Sequence, residues 1–348
     1  MSEKYVYRFS KDFNEGDRNM REILGGKGAN LAEMCKIGLE VPPGFTISTA
    51  SCVHYFRNGN KWAPGLADQV NETVAWLEKT TGKKFGCADN PLLVSVRSGS
   101  RASMPGMMDT ILNLGLNDEV MEGLAKMTNN RRFALDSYRR FLKMFGDVVL
   151  GMKAPKGMHD PFDHILEDVK KRTGKKEDTD LNEAELDEIV SRSKEAIQKA
   201  TGKPFPTEAR DQLTLAINAV FDSWMNNRAI EYRKLYRIPD DWGTAVNVQT
   251  MVYGNLGDDC GTGVCFTRDG GTGENVFTGE FLMNAQGEDV VAGIRTPRRV
   301  QELNDIMPHA YKTLLDAKVI LEKHYGWMQD LEFTIEKEKL YFLQTRDG

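Results

Sequence analysis

The sequence predicts an α+β protein in which two strand-bearing stretches flank a mainly helical middle. Three observations predict it: short apolar runs broken by glycine and proline up to about residue 112, helical spacing of apolar residues through about 240, and strand-like alternation after that. The boundaries therefore fall near 1–112, 113–240 and 241–348, two lobes separated in sequence by a helical subdomain.

In the first stretch, Gly25-Gly26-Lys27-Gly28 stands ahead of a helix predicted over Ala29 to Ile37. Gly38 closes it, since glycine suits the left-handed position after a helix end. Pro42-Pro43-Gly44 then turns the chain into a β segment, Phe45-Thr46-Ile47. Leu92 to Val96 reads as a buried strand that delivers Arg97 into a loop, Ser98 to Gly106, at a strand end where open sheets bind ligands.

In the middle stretch, Leu213, Ile217, Val220, Phe221 and Trp224 recur at helical spacing and form one apolar stripe, read as core. Leu186, Ile189, Val190 and Ile197 do the same in a helix ended by Gly202, and the dense polar run Lys170 to Asp180 reads as a solvated loop. In the last stretch, Val246, Val248, Thr250 and Val252 alternate with Asn247, Gln249 and Met251. After a glycine-bearing loop, Val264 to Thr267 resumes as a second strand, consistent with a hairpin. Leu314, Ala317, Leu321 and Tyr325 mark a helix leading into the final strand pair, and no repeat of solenoid length is visible.

Bulk properties exclude several classes. With 348 residues, 40% apolar and 28% charged, the chain holds enough volume for real cores and is not disordered. Its apolar runs are too short to cross a bilayer. Met1 to Tyr5 show neither a secretion signal nor a transit peptide, so a cytoplasmic location is expected. Cys35, Cys52, Cys87, Cys260 and Cys265 are odd in number and form no C-x-x-C pair, against a disulfide framework or structural zinc. Net charge is −5 without a long basic block, so no nucleic-acid track is present, and an anionic substrate would need local clusters.

The terminal hairpin is the most informative element. Leu331, Phe333 and Ile335 point one way, Asp330 and Glu332 the other, and Gln344 shares a face with Arg346. A three-residue turn at Lys337-Glu338-Lys339 sets Glu332 opposite Gln344 and Asp330 opposite Arg346. A carboxylate and an amide carbonyl are hard oxygen ligands for Mg²⁺, and a guanidinium beside them grips phosphate. A half-exposed hairpin with cross-strand salt bridges fits the same pattern.

Gly25 to Gly28 offers backbone N–H groups, a helix N-terminus and one positive charge to phosphate oxygens, or is simply a tight turn with a surface lysine. It is neither a Walker A loop nor a dinucleotide fingerprint. Asp259-Cys260-Gly261-Thr262-Gly263 reads either as a mobile phosphate lid or as a plain hairpin tip. Lys27, Arg97 and Arg346 with an acidic pair are what phosphoryl transfer asks for, because its catalysis is positioning plus charge neutralisation. No Ser/His/Asp or Cys/His pattern stands out, and His54, His159, His164, His309 and His324 lack metal-ligand spacing.

Five motifs together resemble the pyruvate phosphate dikinase family: GGKGANLAEM at Gly25, the stretch from Leu93 to Leu116, DWGTAVNVQTMV at Asp241, NAQGEDVVAG at Asn284, and the closing LYFLQTR. The resemblance runs through the whole chain and implies an ATP-grasp nucleotide-binding domain, with ATP between two α+β lobes. It further implies that Lys27 and Arg97 hold the transferring phosphates, that Glu332 and Gln344 coordinate Mg²⁺, and that Asp330 and Arg346 complete that site. Gln249 and Met251 would lie near the adenine, Gly261, Thr262 and Gly263 would form the lid, and Glu288, Met108 and Asp109 would line the cleft.

The family's full enzyme passes phosphoryl groups from ATP, with inorganic phosphate as co-substrate, through a phosphohistidine on a swivelling domain to pyruvate on a (β/α)₈ barrel. Its products are AMP, diphosphate and phosphoenolpyruvate. No histidine here stands in the family's Thr-Ser-His setting and nothing resembles the barrel. A piece cut at a domain boundary that binds Mg-ATP without its acceptor is therefore expected, a monomer here and a homodimer for the full enzyme. Phosphoenolpyruvate synthase, a nucleotide-sensing module and an ATP-grasp ligase are the competing readings.

Overall fold

The computed structural model describes residues 3–152, 160–292 and 295–348. His159 and Gly293, both touched on above, lie outside the described residues. In chain order the first elements are β1 (Val6–Phe9), α1 (Arg21–Lys36), β2 (Gly44–Ile47), α2 (Thr49–Arg57) and α3 (Leu66–Thr81). β3 (Lys84–Phe85), β4 (Pro91–Leu92), β5 (Val94–Gly99) and β6 (Thr110–Leu114) follow. The middle carries α4 (Asp118–Thr128), α5 (Arg131–Met144), α6 (Pro161–Thr173), α7 (Glu183–Thr201), α8 (Ala209–Ser223) and α9 (Asn227–Tyr236). Next come β7 (Ala245–Thr250), β8 (Gly261–Phe266), β9 (Thr278–Met283), α10 (Gly287–Ala292) and β10 (Arg298–Arg299). The chain ends with α11 (Leu303–Ile306), α12 (Pro308–Tyr325), β11 (Gln329–Glu336) and β12 (Lys339–Asp347).

The fold is mixed α+β, with antiparallel ladders in two sheets. Contacts gather the chain into two units that are discontinuous in sequence, Met1–Val6 with Ile47–Met251 and Tyr7–Thr46 with Val252–Gly348. α1 thus belongs with the C-terminal strands rather than with β5 and β6.

In the first unit, β7, β5 and β6 pair antiparallel, and α8 packs on them. The expected stripe is its core: Ile217, Val220 and Phe221 are fully buried, with Leu213 and Trp224 nearly so. The buried face of α7 and its stop at Gly202, φ +71°, also match. The polar run from Lys170 is not a plain solvated loop. α6 continues to Thr173, and Asp178 turns inward to accept from Arg139 (2.7 Å) and Lys170 (3.1 Å). Arg139 also holds the buried Asp136, so the run closes an ionic cluster against α5. The expected hairpin of β7 with the next strand does not form: β7 pairs with β5, whereas β8 pairs with β9 and β11.

In the second unit the strand order is β10-β9-β8-β11-β12. One face is apolar: Phe281, Leu331, Phe333, Ile335 and Phe342 pack with Leu31 and Met34 of α1 and with Leu314, Ala317 and Leu321 of α12. That burial holds the sheet to its helices and leaves the other face to polar residues.

Candidate functional site

The terminal hairpin pairs as the sequence predicts, Asp330 with Arg346 and Glu332 with Gln344, but by a different route. Glu336 pairs with Lys339, so the turn has two residues, not three. Lys337 and Glu338 both have positive φ, +50° and +64°. Such a turn matches the strand twist but advances the register by one residue. A β-bulge on β12, at the shift between Phe333↔Phe342 and Glu332↔Gln344, restores it. Without that bulge Gln344 would share the parity of Leu340 and Phe342 and enter the apolar face. With it, Asp330, Glu332, Gln344 and Arg346 gather on the polar face. Gln344 Nε2 donates to Glu332 Oε1 at 3.0 Å, and Arg346 Nε donates to Asp330 Oδ2 at 2.5 Å.

α1 brings the glycine turn to the same unit. It starts at Arg21, earlier than expected, and is broken at Gly25, whose φ 66°, ψ 174° only glycine adopts readily. Helical geometry restarts at Gly26, so Gly26, Lys27 and Gly28 open the second segment of the helix. α1 packs on β12, where Asn30 Nδ2 donates to the Thr345 carbonyl at 2.8 Å. Lys27 and the terminal hairpin therefore lie in one unit, tied through the residue between Gln344 and Arg346.

Arg97 belongs to the other unit. It is inside β5 rather than in a loop, because the ladder with β7 continues to Gly99 opposite Ala245. Its buried guanidinium donates to Gln249 Oε1 at 2.5 Å, and Gln249 itself is 1% exposed. Met251 follows β7, its N–H donating to the Leu93 carbonyl. Met108 is half-buried, and Asp109 accepts from Arg228 at 3.3 Å. Asn226 and Arg228 also donate to the Met107 and Gly106 carbonyls, so α9 holds the segment that carries both. Sequence reading missed these two; a polar pair at a helix start is their one signal.

The lid expectation for Gly261, Thr262 and Gly263 is corrected: all three are buried in β8, paired on both sides. A Cβ on Gly263 would come within 2.6 Å of the Phe333 ring, so this glycine makes room in the core. Thr262 lies opposite Thr334, one cross-strand row from Val264 and Glu332, and donates to the Phe333 carbonyl at 2.9 Å. Glu288 is in the first turn of α10, which packs on β8 and β9.

A family model for the pyruvate phosphate dikinase AMP/ATP-binding domain matches residues 21–81 and 62–307. The chain belongs to this dikinase domain family. It is 54% identical over 346 residues to pyruvate, phosphate dikinase of Clostridium symbiosum, covering 99% of this chain and 39% of that protein. Pyruvate, phosphate dikinase 2 of Zea mays is 53% identical over 347 residues, 100% of this chain and 39% of that protein. The chloroplastic enzyme of Flaveria trinervia is 52% identical over 347 residues, 100% of this chain and 36% of that protein. This dikinase domain thus spans about two fifths of the length of the curated relatives it matches.

Among the described residues of the dikinase domain, no group of three or more His, Cys, Asp or Glu is arranged to hold a metal by itself. Glu332, Asp330 and the Gln344 amide are nevertheless the hard-oxygen set that suits Mg²⁺ carried in by a triphosphate, since Mg²⁺ takes one or two carboxylates and fills its shell from phosphates and water. Binding through Gln344 would turn its amide so that Oε1 takes the place of Nε2. Burial pushes the thiols of Cys35 and Cys52 up to about 12 and that of Cys260 up to about 11, which keeps these three protonated. No described helix is long and apolar enough to cross a membrane.

Proposed function

We propose that this chain is the Mg-ATP site and phosphoryl donor of a pyruvate phosphate dikinase. In that enzyme, ATP, inorganic phosphate and pyruvate yield AMP, diphosphate and phosphoenolpyruvate through a phosphohistidine on another domain. One observation carries the reading: the bulged register that aligns Asp330, Glu332, Gln344 and Arg346 on one polar face, on a strand packed by α1, whose helical geometry restarts just before Lys27.

In this reading, Glu332 and Gln344 hold the divalent cation of the nucleotide, with Asp330 beside them. The cation supplies charge neutralisation across the phosphates. The first-turn N–H groups of α1 and the Lys27 ammonium take phosphate oxygens, and Arg346, turned from Asp330, meets negative charge on the transferring group. Arg97 is a further phosphate ligand, with Gln249 and Met251 on the adenine and Met108, Asp109, Thr262 and Glu288 lining the nucleotide site. Each of these is open to single substitution. A reducing, cytoplasmic compartment agrees with five free cysteines, four of them buried.

Calorimetric titration of Mg-ATP into the chain tests the proposal, with Glu332→Ala and Lys27→Ala as controls. Saturable binding that each variant weakens by about tenfold or more is expected, roughly 1.4 kcal/mol apiece. No binding by the wild type, or binding indifferent to both variants, ends it.

A further inference from the structure

We infer that Asn30 is a positioning residue for nucleotide binding: its amide fixes α1, one turn past Lys27, against the strand that carries Gln344 and Arg346. The inference rests on the proposed roles of those three residues.

β12 is the edge strand of its sheet, so carbonyls along its outer side need donors from elsewhere. Asn30 supplies one to Thr345 at 2.8 Å. It lies three residues after Lys27 and four after Gly26, on the same side of α1 and one turn along. Thr345 is flanked by Gln344 and Arg346, and its hydroxyl donates inward to Gln329 Oε1 at 3.0 Å. Gln329 in turn receives a hydrogen bond from Thr267 and donates one to it, both through its backbone (2.9 and 2.8 Å). Asn30, Thr345, Gln329 and Thr267 are 5%, 1%, 0% and 0% exposed. A continuous buried polar chain therefore runs from the phosphate-binding helix, beneath the hairpin heads, into the sheet.

Stability alone does not explain an amide here. Its Oδ1 is buried with no hydrogen-bond partner. Rotating the amide to satisfy that oxygen would set oxygen against the Thr345 carbonyl, so the orientation is fixed by the bond it donates. A leucine of similar size would avoid the orphaned acceptor at the cost of leaving the Thr345 carbonyl unpaired. What only a donor gives is a fixed distance between the Lys27 turn and the hairpin, which a single triphosphate must span.

The test compares Asn30→Leu, Asn30→Asp and a remote core control, Leu303→Ala, by Mg-ATP calorimetry on folded protein. Asn30→Leu is expected to weaken binding about tenfold, since small misplacements are costly at phosphoryl sites. The control should change it less than twofold at comparable loss of Tm. Asn30→Asp should bind poorly at neutral pH and recover relative to wild type as pH falls, because a protonated carboxyl can donate to the Thr345 carbonyl and an ionised one cannot. Asn30→Leu within twofold of wild type, a loss no larger than the control's, or an Asn30→Asp ratio flat with pH overturns the inference. Should Lys27→Ala weaken binding while Asn30→Leu does not, this inference alone falls. Should Lys27→Ala and Glu332→Ala both bind like wild type, the functional reading falls and takes it along.

Discussion

Arg346 lies at the outer end of the polar row, its side chain 49% exposed and paired with the nearly buried carboxylate of Asp330. That geometry separates function from stability. An ion pair so exposed contributes at most about 1 kcal/mol to folding. A guanidinium meeting charge on a transferring phosphoryl contributes far more to rate. Arg346→Ala in the complete enzyme should therefore lower turnover by about 100-fold or more, with a Tm within a few degrees of wild type, read by rapid-quench detection of the phosphoenzyme. Near-normal rates would remove Arg346 from the reaction. Alternation of apolar and polar residues made Asp330, Glu332, Gln344 and Arg346 readable in advance, because a half-buried strand writes its faces into sequence at period two. Asn30 was not readable: the burial of its amide depends on an edge carbonyl more than 300 residues away. Arg97 was placed in a loop because glycine and serine after it read as a turn, whereas pairing with β7 keeps them in the strand.

At the scale of elements, the hairpin shows how a correct register can follow from an incorrect turn. Lys337 and Glu338 both occupy the left-handed region, which asparagine and glycine adopt at lower cost. The double variant Lys337→Asn with Glu338→Gly should stabilise the protein by about 1 kcal/mol in urea unfolding. It should leave nucleotide affinity unchanged, because the bulge and not the turn aligns the site. No gain in stability would mean that the Lys337 and Glu338 side chains add contacts of equal worth. Bulges leave no local mark in sequence, which is why this one was not foreseen. The β8 partners were missed for a related reason: alternation identifies a strand but not the strand beside it. A second element-level prediction concerns α5. Burial alone would raise the carboxyl of Asp136, but the charges of Arg139, Arg140 and Arg132 outweigh it and hold the group at about 2. The folded value lies below the unfolded one, so its contribution, about 2 kcal/mol, is complete above about pH 4 and lost as pH falls toward 2. Asp136→Asn should flatten that part of the acid-unfolding curve and cost about 3 kcal/mol or more at neutral pH. An unchanged acid limb would show that other carboxylates govern it.

At the scale of the whole molecule, two units have their own cores, and the candidate residues divide between them, Lys27 and the hairpin in one, Arg97 and Gln249 in the other. Because the chain matches only about two fifths of its relatives' length, the phosphoryl acceptors are sought beyond it. The choice between a dikinase and a synthase-type reaction then turns on what receives the second phosphoryl group of ATP, phosphate or water. The whole-chain identity to dikinases argues for phosphate. Joined to the remaining domains, the protein should form phosphoenolpyruvate from ATP and pyruvate only when inorganic phosphate is added, with one diphosphate appearing for each AMP. Omitting phosphate should stop turnover while leaving Mg-ATP binding to this chain intact, since in the proposed function binding rests on Lys27, Glu332 and Gln344 and needs no acceptor. Turnover without added phosphate, with orthophosphate rather than diphosphate accumulating beside AMP, would assign the nucleotide site to a water-using enzyme instead.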